Sequence, residues 1–245
     1  MPEEVPSGYE GMLRELYESF LRPGDNAIDV GAHVGHHTFP IAKCVAPGGH
    51  VLAFEPLDAC RAQIESGIKD AGLESTVSVL PFAVGAENAE TEFVVAVDAL
   101  AYSGLKERVY DSPTRLERRP ILVRTLDGFT SDLTHLEYVK IDVEGGEYDV
   151  VRGARSTILR LRPVVSFEFG LSSFEKYGIS GVDMARLWTE LRYALFDIRG
   201  RRFSAAEEFA TSAVRQEVWD YIAVPEERTS ATGSLRDAIS RRAPE

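Results

Sequence analysis

Seven short apolar runs recur along the chain, at Asn26–Val30, His50–Phe54, Val77–Pro81, Tyr138–Val143, Val164–Phe169, Ala194–Arg199 and Trp219–Val224. Each is rich in Val, Ile, Phe or Tyr and closes on Gly, Pro or an acid, the pattern of strands buried on both faces. Segments of helical period lie between them near 34–46, 59–71, 147–161 and 182–192. Strand–helix alternation of this kind leaves one economical solution, an α/β domain with a mostly parallel sheet covered by helices on both sides. Ahead of the first run, Met12, Leu13, Leu16, Tyr17 and Phe20 recur at helical spacing, so residues 8–21 form an amphipathic helix that Arg22-Pro23-Gly24-Asp25 stops. The last two runs are about 20 residues apart, with Gly200 and an Arg-rich turn between them. That is too little obvious helix for a parallel crossover, and it predicts antiparallel pairing.

The expected division is a lead-in over 1–24, one domain over 25–225 and a loosely held tail over 226–245, rich in Ser, Thr, Arg and Glu. An irregular stretch at 98–120, flanked by the strand-like runs Thr91–Val97 and Ile121–Thr125, interrupts the alternation. Insertions of that length in α/β domains are usually functional. Composition narrows the function classes. With 27 basic and 39 acidic side chains the formal charge is −12, which argues against nucleic acid as a partner. Cys44 and Cys60 allow at most one bridge, and the start Met1-Pro2-Glu3-Glu4 has neither the basic residues nor the apolar core of a secretion signal. No stretch approaches the roughly 20 apolar residues of a membrane span. A cytoplasmic protein with no membrane span is the expectation.

The first strand runs into a glycine turn and a helix: Asp29-Val30-Gly31-Ala32-His33-Val34-Gly35-His36-His37-Thr38. In an open α/β sheet ligands bind beyond the carboxyl ends of the strands, and Gly31 and Gly35 let the backbone come close to one. The spacing Asp-x-Gly-x-x-x-Gly lacks the Gly-x-Gly-x-x-Gly pattern that seats a pyrophosphate, which favours a ligand without phosphates. S-adenosylmethionine fits, with Asp29 taking its ammonium and Gly31, Ala32, His33, Gly35 and Thr38 around it. Phe54-Glu55-Pro56 ends the second strand, where a carboxylate can accept both ribose hydroxyls. Pro81-Phe82-Ala83 ends the third, where Phe82 and Ala83 would flank an adenine ring. Each feature has a plain structural counterpart: a tight turn, a helix cap at Glu55, ordinary core at Phe82.

The second informative segment is Tyr138-Val139-Lys140-Ile141-Asp142-Val143-Glu144-Gly145-Gly146-Glu147-Tyr148, a buried strand ending in acids and a glycine pair. By the open-sheet rule Asp142 and Glu144 face the same crevice as Asp29 and Glu55, and Glu168 ends the neighbouring strand. Acids at adjacent strand ends suit a proton acceptor or an oxygen-only site for a divalent ion such as Mg2+, with Asp142 and Glu168 as ligands. Helix capping by Glu144 or Glu147 and turn ordering by Asp142 are the structural alternatives.

These segments resemble the FkbM-type S-adenosylmethionine-dependent methyltransferases. The matching pieces are Leu21-Arg22-Pro23-Gly24-Asp25 leading into Ile28-Asp29-Val30-Gly31-Ala32, then Phe54-Glu55-Pro56, Arg124-Thr125-Leu126-Asp127, Val139-Lys140-Ile141-Asp142-Val143-Glu144-Gly145 and Arg152-Gly153-Ala154. The Lys-Ile-Asp-Val-Glu-Gly run is the specific element. The resemblance implies the class I Rossmann-like methyltransferase fold, a doubly wound seven-stranded sheet with its last strand antiparallel. It also implies O-methylation of a hydroxyl on a sugar, glycan or polyketide-type natural product. This chain departs from the family at His33, commonly Asn, and at His36 and His37, often aromatic.

The expected reaction is an in-line methyl transfer assisted by proton removal, for which Asp142 is the first candidate, then Glu168, Glu144 and His37. The acceptor would be gripped by the N-terminal helix and the insertion, where Tyr102, Ser103, Lys106 and Tyr110 suit a polar ring and Lys106, Arg108, Arg115, Arg118 and Arg119 an anionic one. Two other functions fit the same fold: a non-catalytic adenosine-cofactor-binding protein, and an NAD(P)-dependent oxidoreductase, which would want the missing diglycine fingerprint.

Overall fold

The computed structural model describes residues 8–108, 110, 113–170, 174–229 and 234–241. Strands β1 (Asn26–Val30), β2 (His50–Phe54), β3 (Val77–Leu80), β7 (Tyr138–Ile141), β8 (Val164–Glu168), β9 (Tyr193–Asp197) and β10 (Asp220–Pro225) form one seven-stranded sheet. Its order is β3-β2-β1-β7-β8-β10-β9, and only β10 runs against its neighbours. The chain reverses its direction of strand addition between β1 and β7, which opens the crevice of a doubly wound sheet at their carboxyl ends. Strands β4 (Ala83–Val84), β5 (Ala89–Ala96) and β6 (Leu116–Arg124) make a second, three-stranded sheet.

Helices α1 (Tyr9–Phe20), α2 (Thr38–Val45), α3 (Asp58–Ala71), α4 (Glu147–Gly153), α5 (Arg155–Leu161), α6 (Gly181–Glu190), α7 (Ala206–Arg215) and α8 (Leu235–Ser240) cover the sheet. The amphipathic period of α1 buries Leu13, Tyr17 and Phe20, and the last two rings pack on Tyr138 of β7. Ser180 and Asp183 form a reciprocal capping box that starts α6.

Four expectations change. The helix expected over 147–161 is two helices, because the Asp127 carboxylate accepts from Ser156 N (3.0 Å) and Thr157 N (2.8 Å) and so caps α5 from outside the helix. The insertion is partly strand: β6 begins at Leu116, so the irregular segment is shorter than 98–120. Pro120 is tolerated inside β6 because β4 pairs only with Val123 and Arg124, leaving the Pro120 edge without a partner strand. A helix, α7, fills the connection between the last two strands, and these still pair antiparallel. Finally, residues 226–229 and 234–241 pack on the domain rather than trailing from it. Arg228 is buried with its guanidinium on Glu137 (2.7 Å), and Leu235, Ala238 and Ile239 bury one face of α8.

Candidate active site

The turn after β1 is tied to the end of β2, where Gly31 N and Ala32 N both donate to the Phe54 carbonyl oxygen at 3.0 Å. Gly31 has φ +81°, and a side chain there would collide with the Asp142 carbonyl oxygen. The glycine is thus required by the close approach of the β7 end to the β1 end, before any ligand is considered. A side chain at Gly35 would likewise meet the Phe39 ring. His33 is held at φ +49°, a conformation that Asn tolerates better than most residues, and its N–H donates to Glu55 Oε2 at 2.9 Å. Leu57 N donates to the other Glu55 oxygen at 2.8 Å. Burial pushes the Glu55 carboxyl up to about 7, against the pull of these two N–H groups.

Two cavities meet at this turn. The first is narrow, about 60 Å³, and mostly apolar; Phe54, Glu55, Pro56, Phe82 and Ala83 form its floor. Phe93, Leu100, Ser103 and Leu105 of the β5–β6 arm close it from above. The second is a wide cleft of about 750 Å³ that runs along β7, β8 and β10 to α1. Asp29, fully buried, faces that cleft: Thr38 Oγ1 donates to its Oδ2 (2.6 Å), whereas Oδ1 has no hydrogen-bond partner among the described residues. Gly31, His33, Asp142 and Glu144 line both cavities.

At the junction the acids form a chain of contacts. Asp142, Glu144 and Glu168 place a carboxylate oxygen each within 4.8 Å of one another. Lys140 Nζ lies 3.2 Å from Asp142 Oδ2 and 3.6 Å from Asp29 Oδ1. Burial alone would raise Asp142, but Lys140 and a hydrogen bond from Glu168 outweigh it and hold the carboxyl below the ordinary range. Glu168 goes the other way: burial, then the Asp142 and Glu144 charges, hold it well above that range. Burial and Asp142 push Glu144 up to about 8, although Arg108 pairs with it.

The sequence signature of the methyltransferase FkbM domain matches residues 29–198. The chain belongs to that family. Among solved structures it is similar to the methyltransferase FkbM from Methylobacillus flagellatus KT, with a TM-score of 0.52 at 16% identity over 86% of this chain and 50% of that one. It thus spans half the length of that relative. It is also similar to a putative rRNA-methylase from Clostridium thermocellum, with a TM-score of 0.52 at 11% identity over 91% of this chain and 98% of that one. At such identities the likeness shows the fold. No curated protein matches the sequence.

Two of the runs that carry the resemblance serve the fold. Asp127 caps α5, and Gly153 lets α4 pack on the Gly85 carbonyl, which a side chain there would strike. Of the other residues that carry the resemblance, Asp29, Gly31, Glu55, Lys140, Asp142 and Glu144 line the two cavities. Several expected site residues are displaced from their roles. Burial, then the Lys140 charge, pull His37 down to about 3, which makes it a weak base, and its Nδ1 faces the Tyr17 hydroxyl at 3.2 Å. Ser103 lines the narrow cavity, and its hydroxyl accepts from Ala96 N within the arm. Lys106 lines neither cavity; its ammonium lies over the Tyr177 ring at 4.8 Å. Arg115, Arg118 and Arg119 pair with Asp98, Glu107 and Glu117 on the exposed arm. Tyr102 and Tyr110 do reach the wide cleft, with Arg108 stacked on Tyr102 at 4.6 Å.

Tyr9 and Glu10 of the N-terminal helix line the cleft, where that helix was expected, and Lys140, Asp220 and Trp219 line it without having been expected there. Asp220 was within reach of sequence reasoning. An antiparallel strand brings its first residue, not its last, to the crevice, and β10 starts at Asp220, opposite Glu168 in register. Burial, then Asp142, push Asp220 up to about 7.

The donor set suits S-adenosylmethionine. Asp29 offers a buried carboxylate that a ligand ammonium would share with Lys140, and Glu55 offers a carboxylate on the wall of an apolar pocket. A divalent ion fits less well. The Asp142, Glu144 and Glu168 oxygens are hard donors, but Lys140 and Arg108 already pair with two of the three carboxyl groups. No helix among the described residues is long and apolar enough to cross a membrane.

Proposed function

We propose that this protein transfers a methyl group from S-adenosylmethionine to a hydroxyl of a sugar, glycan or polyketide-type natural product. The observation that carries the proposal is the Asp142–Glu168 carboxyl pair, with oxygens within 4.8 Å of each other, set where a narrow apolar pocket opens into a wide polar cleft. The cofactor supplies an electrophilic methyl carbon. Glu55 takes the ribose hydroxyls, and Phe82, Ala83 and Pro56 pack against the base. Asp29 takes the ammonium.

The acceptor enters from the cleft side, between Tyr9 and Leu13 of α1, the rings of Tyr102 and Tyr110, and Trp219. As its oxygen bonds to the methyl carbon, the sulfur–carbon bond breaks and the hydroxyl proton passes to the Asp142–Glu168 pair. The fully ionised pair is the stronger proton acceptor, so the rate rises with pH as Glu168 loses its proton. Glu10 and Asp220 line the cleft with no basic side chain within ion-pair distance among the described residues, and they disfavour an anionic acceptor. Neutral or amine-bearing polyols fit instead.

A methyl-label transfer screen across neutral sugars, amino sugars, sugar acids, glycolipids and macrolides, read by mass, tests this. Labelled ether products from neutral or amine-bearing acceptors are expected, with activity insensitive to EDTA. Failure to bind S-adenosylmethionine by calorimetry would sink the reading. Binding with no transfer to any acceptor would leave a cofactor-binding protein, and chelator-sensitive transfer restored by Mg2+ would put a metal on Asp142 and Glu168.

A further inference from the structure

We propose that Lys140 is a positioning residue for methyl transfer, acting through Asp142, whose carboxylate it anchors at the junction of the two cavities. The inference rests on the function proposed above. Lys140 lies inside β7, only 4% exposed, opposite Asp29 in the β1–β7 register. Two residues on, Asp142 returns to the same side of the strand line, since side chains alternate with period two. The ammonium therefore sits between two carboxylates from neighbouring strand ends, at 3.2 Å from Asp142 and 3.6 Å from Asp29.

A buried ammonium is costly unless paired, and burial does press Lys140 toward neutrality. The Asp142 and Asp29 charges more than offset that pressure, and the group stays cationic. Asp220 from β10 adds a further negative charge toward it, and the neutral His37 ring of α2 adds none. Without Lys140 the two carboxylates would face each other across the β1–β7 seam. Asp142, the one with solvent beside it, would swing away from the seam and lose the fixed position from which it meets the reacting oxygen. The bond to Lys140 thus fixes the Asp142 oxygen that meets Glu168 and the acceptor.

A double-mutant cycle on the full chain tests this, using Lys140→Met, Lys140→Arg, Asp142→Asn and the Lys140→Met/Asp142→Asn pair. Melting curves establish folding and calorimetry the S-adenosylmethionine affinity. Lys140→Met is expected to lower kcat by about 10²-fold, the scale of a misplaced catalytic group, while cofactor affinity changes less than about tenfold. Lys140→Arg, which keeps the charge, is expected to recover most of the rate. The double variant is expected to be no slower than Asp142→Asn alone, because a residue that works only through Asp142 has nothing left to position. Losses that multiply, or wild-type kcat in Lys140→Met, overturn the proposal. If Lys140→Met fails to fold, Lys140→Arg and the double variant, which carries one fewer unpaired carboxylate, still decide between these outcomes. A crystal structure of Lys140→Arg or Lys140→Met adds a readout free of turnover: in the Met variant Asp142 should leave the strand end, and an unchanged orientation counts against the role. A wild type that binds cofactor but methylates nothing fails the proposed function instead, and leaves the Asp142 orientation as a separate result.

Discussion

The two walls of the site are built in different ways. On the β1–β2 side, away from Asp29 with its Thr38 and Lys140 partners, polar atoms are held by backbone: Glu55 by two N–H groups, and the glycine turn by the Phe54 carbonyl. On the β7–β8–β10 side, carboxylates are held by other side chains, Asp142 by Lys140 and Glu168, Glu144 by Arg108. Backbone-held groups are fixed once the strands are in register, so that wall is suited to binding one invariant molecule. Side-chain-held groups exchange protons and charge with one another, so the other wall is suited to chemistry. The contrast makes an asymmetric demand: lesions on the first wall should read out in cofactor affinity, and lesions on the second in rate.

The largest effect is expected from Asp142→Asn, which keeps the shape of the side chain but removes its capacity to accept a proton. The rate should fall about 10²–10⁴-fold with little change in cofactor affinity. A comparable loss of affinity, measured by calorimetry, would break the division between the walls. In the wild type the rate should climb with pH well above the usual carboxylate pKa of about 4, because burial, then Asp142 and Glu144, hold the Glu168 proton on. The His37→Gln variant should leave that midpoint in place, since the imidazole is neutral throughout. A midpoint that moves with His37 would return the histidine to candidacy.

Next in size is Glu55→Ala. Loss of hydrogen bonds to a charged group is worth about 1.5–3 kcal/mol, so S-adenosylmethionine affinity should weaken about 10- to 100-fold. The change also frees His33 N and Leu57 N, so part of the loss comes from the loosened turn rather than from the ribose. Turnover at saturating cofactor should stay within a few-fold of wild type. A large fall in saturated turnover would show that the first wall takes part in the chemistry.

The same contrast decides what could be read from sequence. The backbone-held wall was legible, because Asp29 to Gly35 and Phe54 to Pro56 are local patterns whose meaning follows from a strand, a turn and the open-sheet rule. Asp142, Glu144 and Glu168 were placed by that rule too. Lys140 was missed for a physical reason, and Asp220 because the reversed direction expected of the last strands was not carried through to an opening residue. A lysine inside an apolar run reads as an imperfect strand until the carboxylates on either side of it are known. Asp220 opens its strand, and only the reversed direction of β10 brings an opening residue to the crevice. The roles of Arg108 and Lys106 were illegible, because the arm between β5 and β6 has no period that says which residues turn inward. Asp127 and Gly153 carried the family resemblance for reasons of folding, and no local pattern distinguishes a cap for a distant helix from a site residue.

The smallest effect is a dependence of stability on pH, and it draws on both walls at once. Burial pushes the carboxyls of Glu55, Glu147 and Asp220 up to about 7 and that of Glu144 up to about 8. In the unfolded chain the same groups titrate near 4. Between those values the folded protein binds protons that the unfolded chain has released, so stability is fully present at low pH and is lost as pH rises through 7 to 8. His37 acts in the opposite sense, since its folded pKa of about 3 lies below the ordinary imidazole value, but it weakens the fold only below about 6.5. The window from pH 6.5 to 8 is therefore governed by the acids. The melting temperature should fall across it by several degrees, at about 2–4 °C per kcal/mol for a domain of this size. Glu147 lies outside both cavities, and its Oε1 accepts from Val143 N and Gly145 N. Glu147→Gln keeps that acceptor and removes the titration, so it should flatten the slope without touching cofactor affinity. Asp220→Asn should flatten it equally while altering acceptor turnover. Melting temperatures that hold steady or rise from pH 6.5 to 8 would show that water reaches these carboxyls, and the low-dielectric junction that raises Glu168 would go with them.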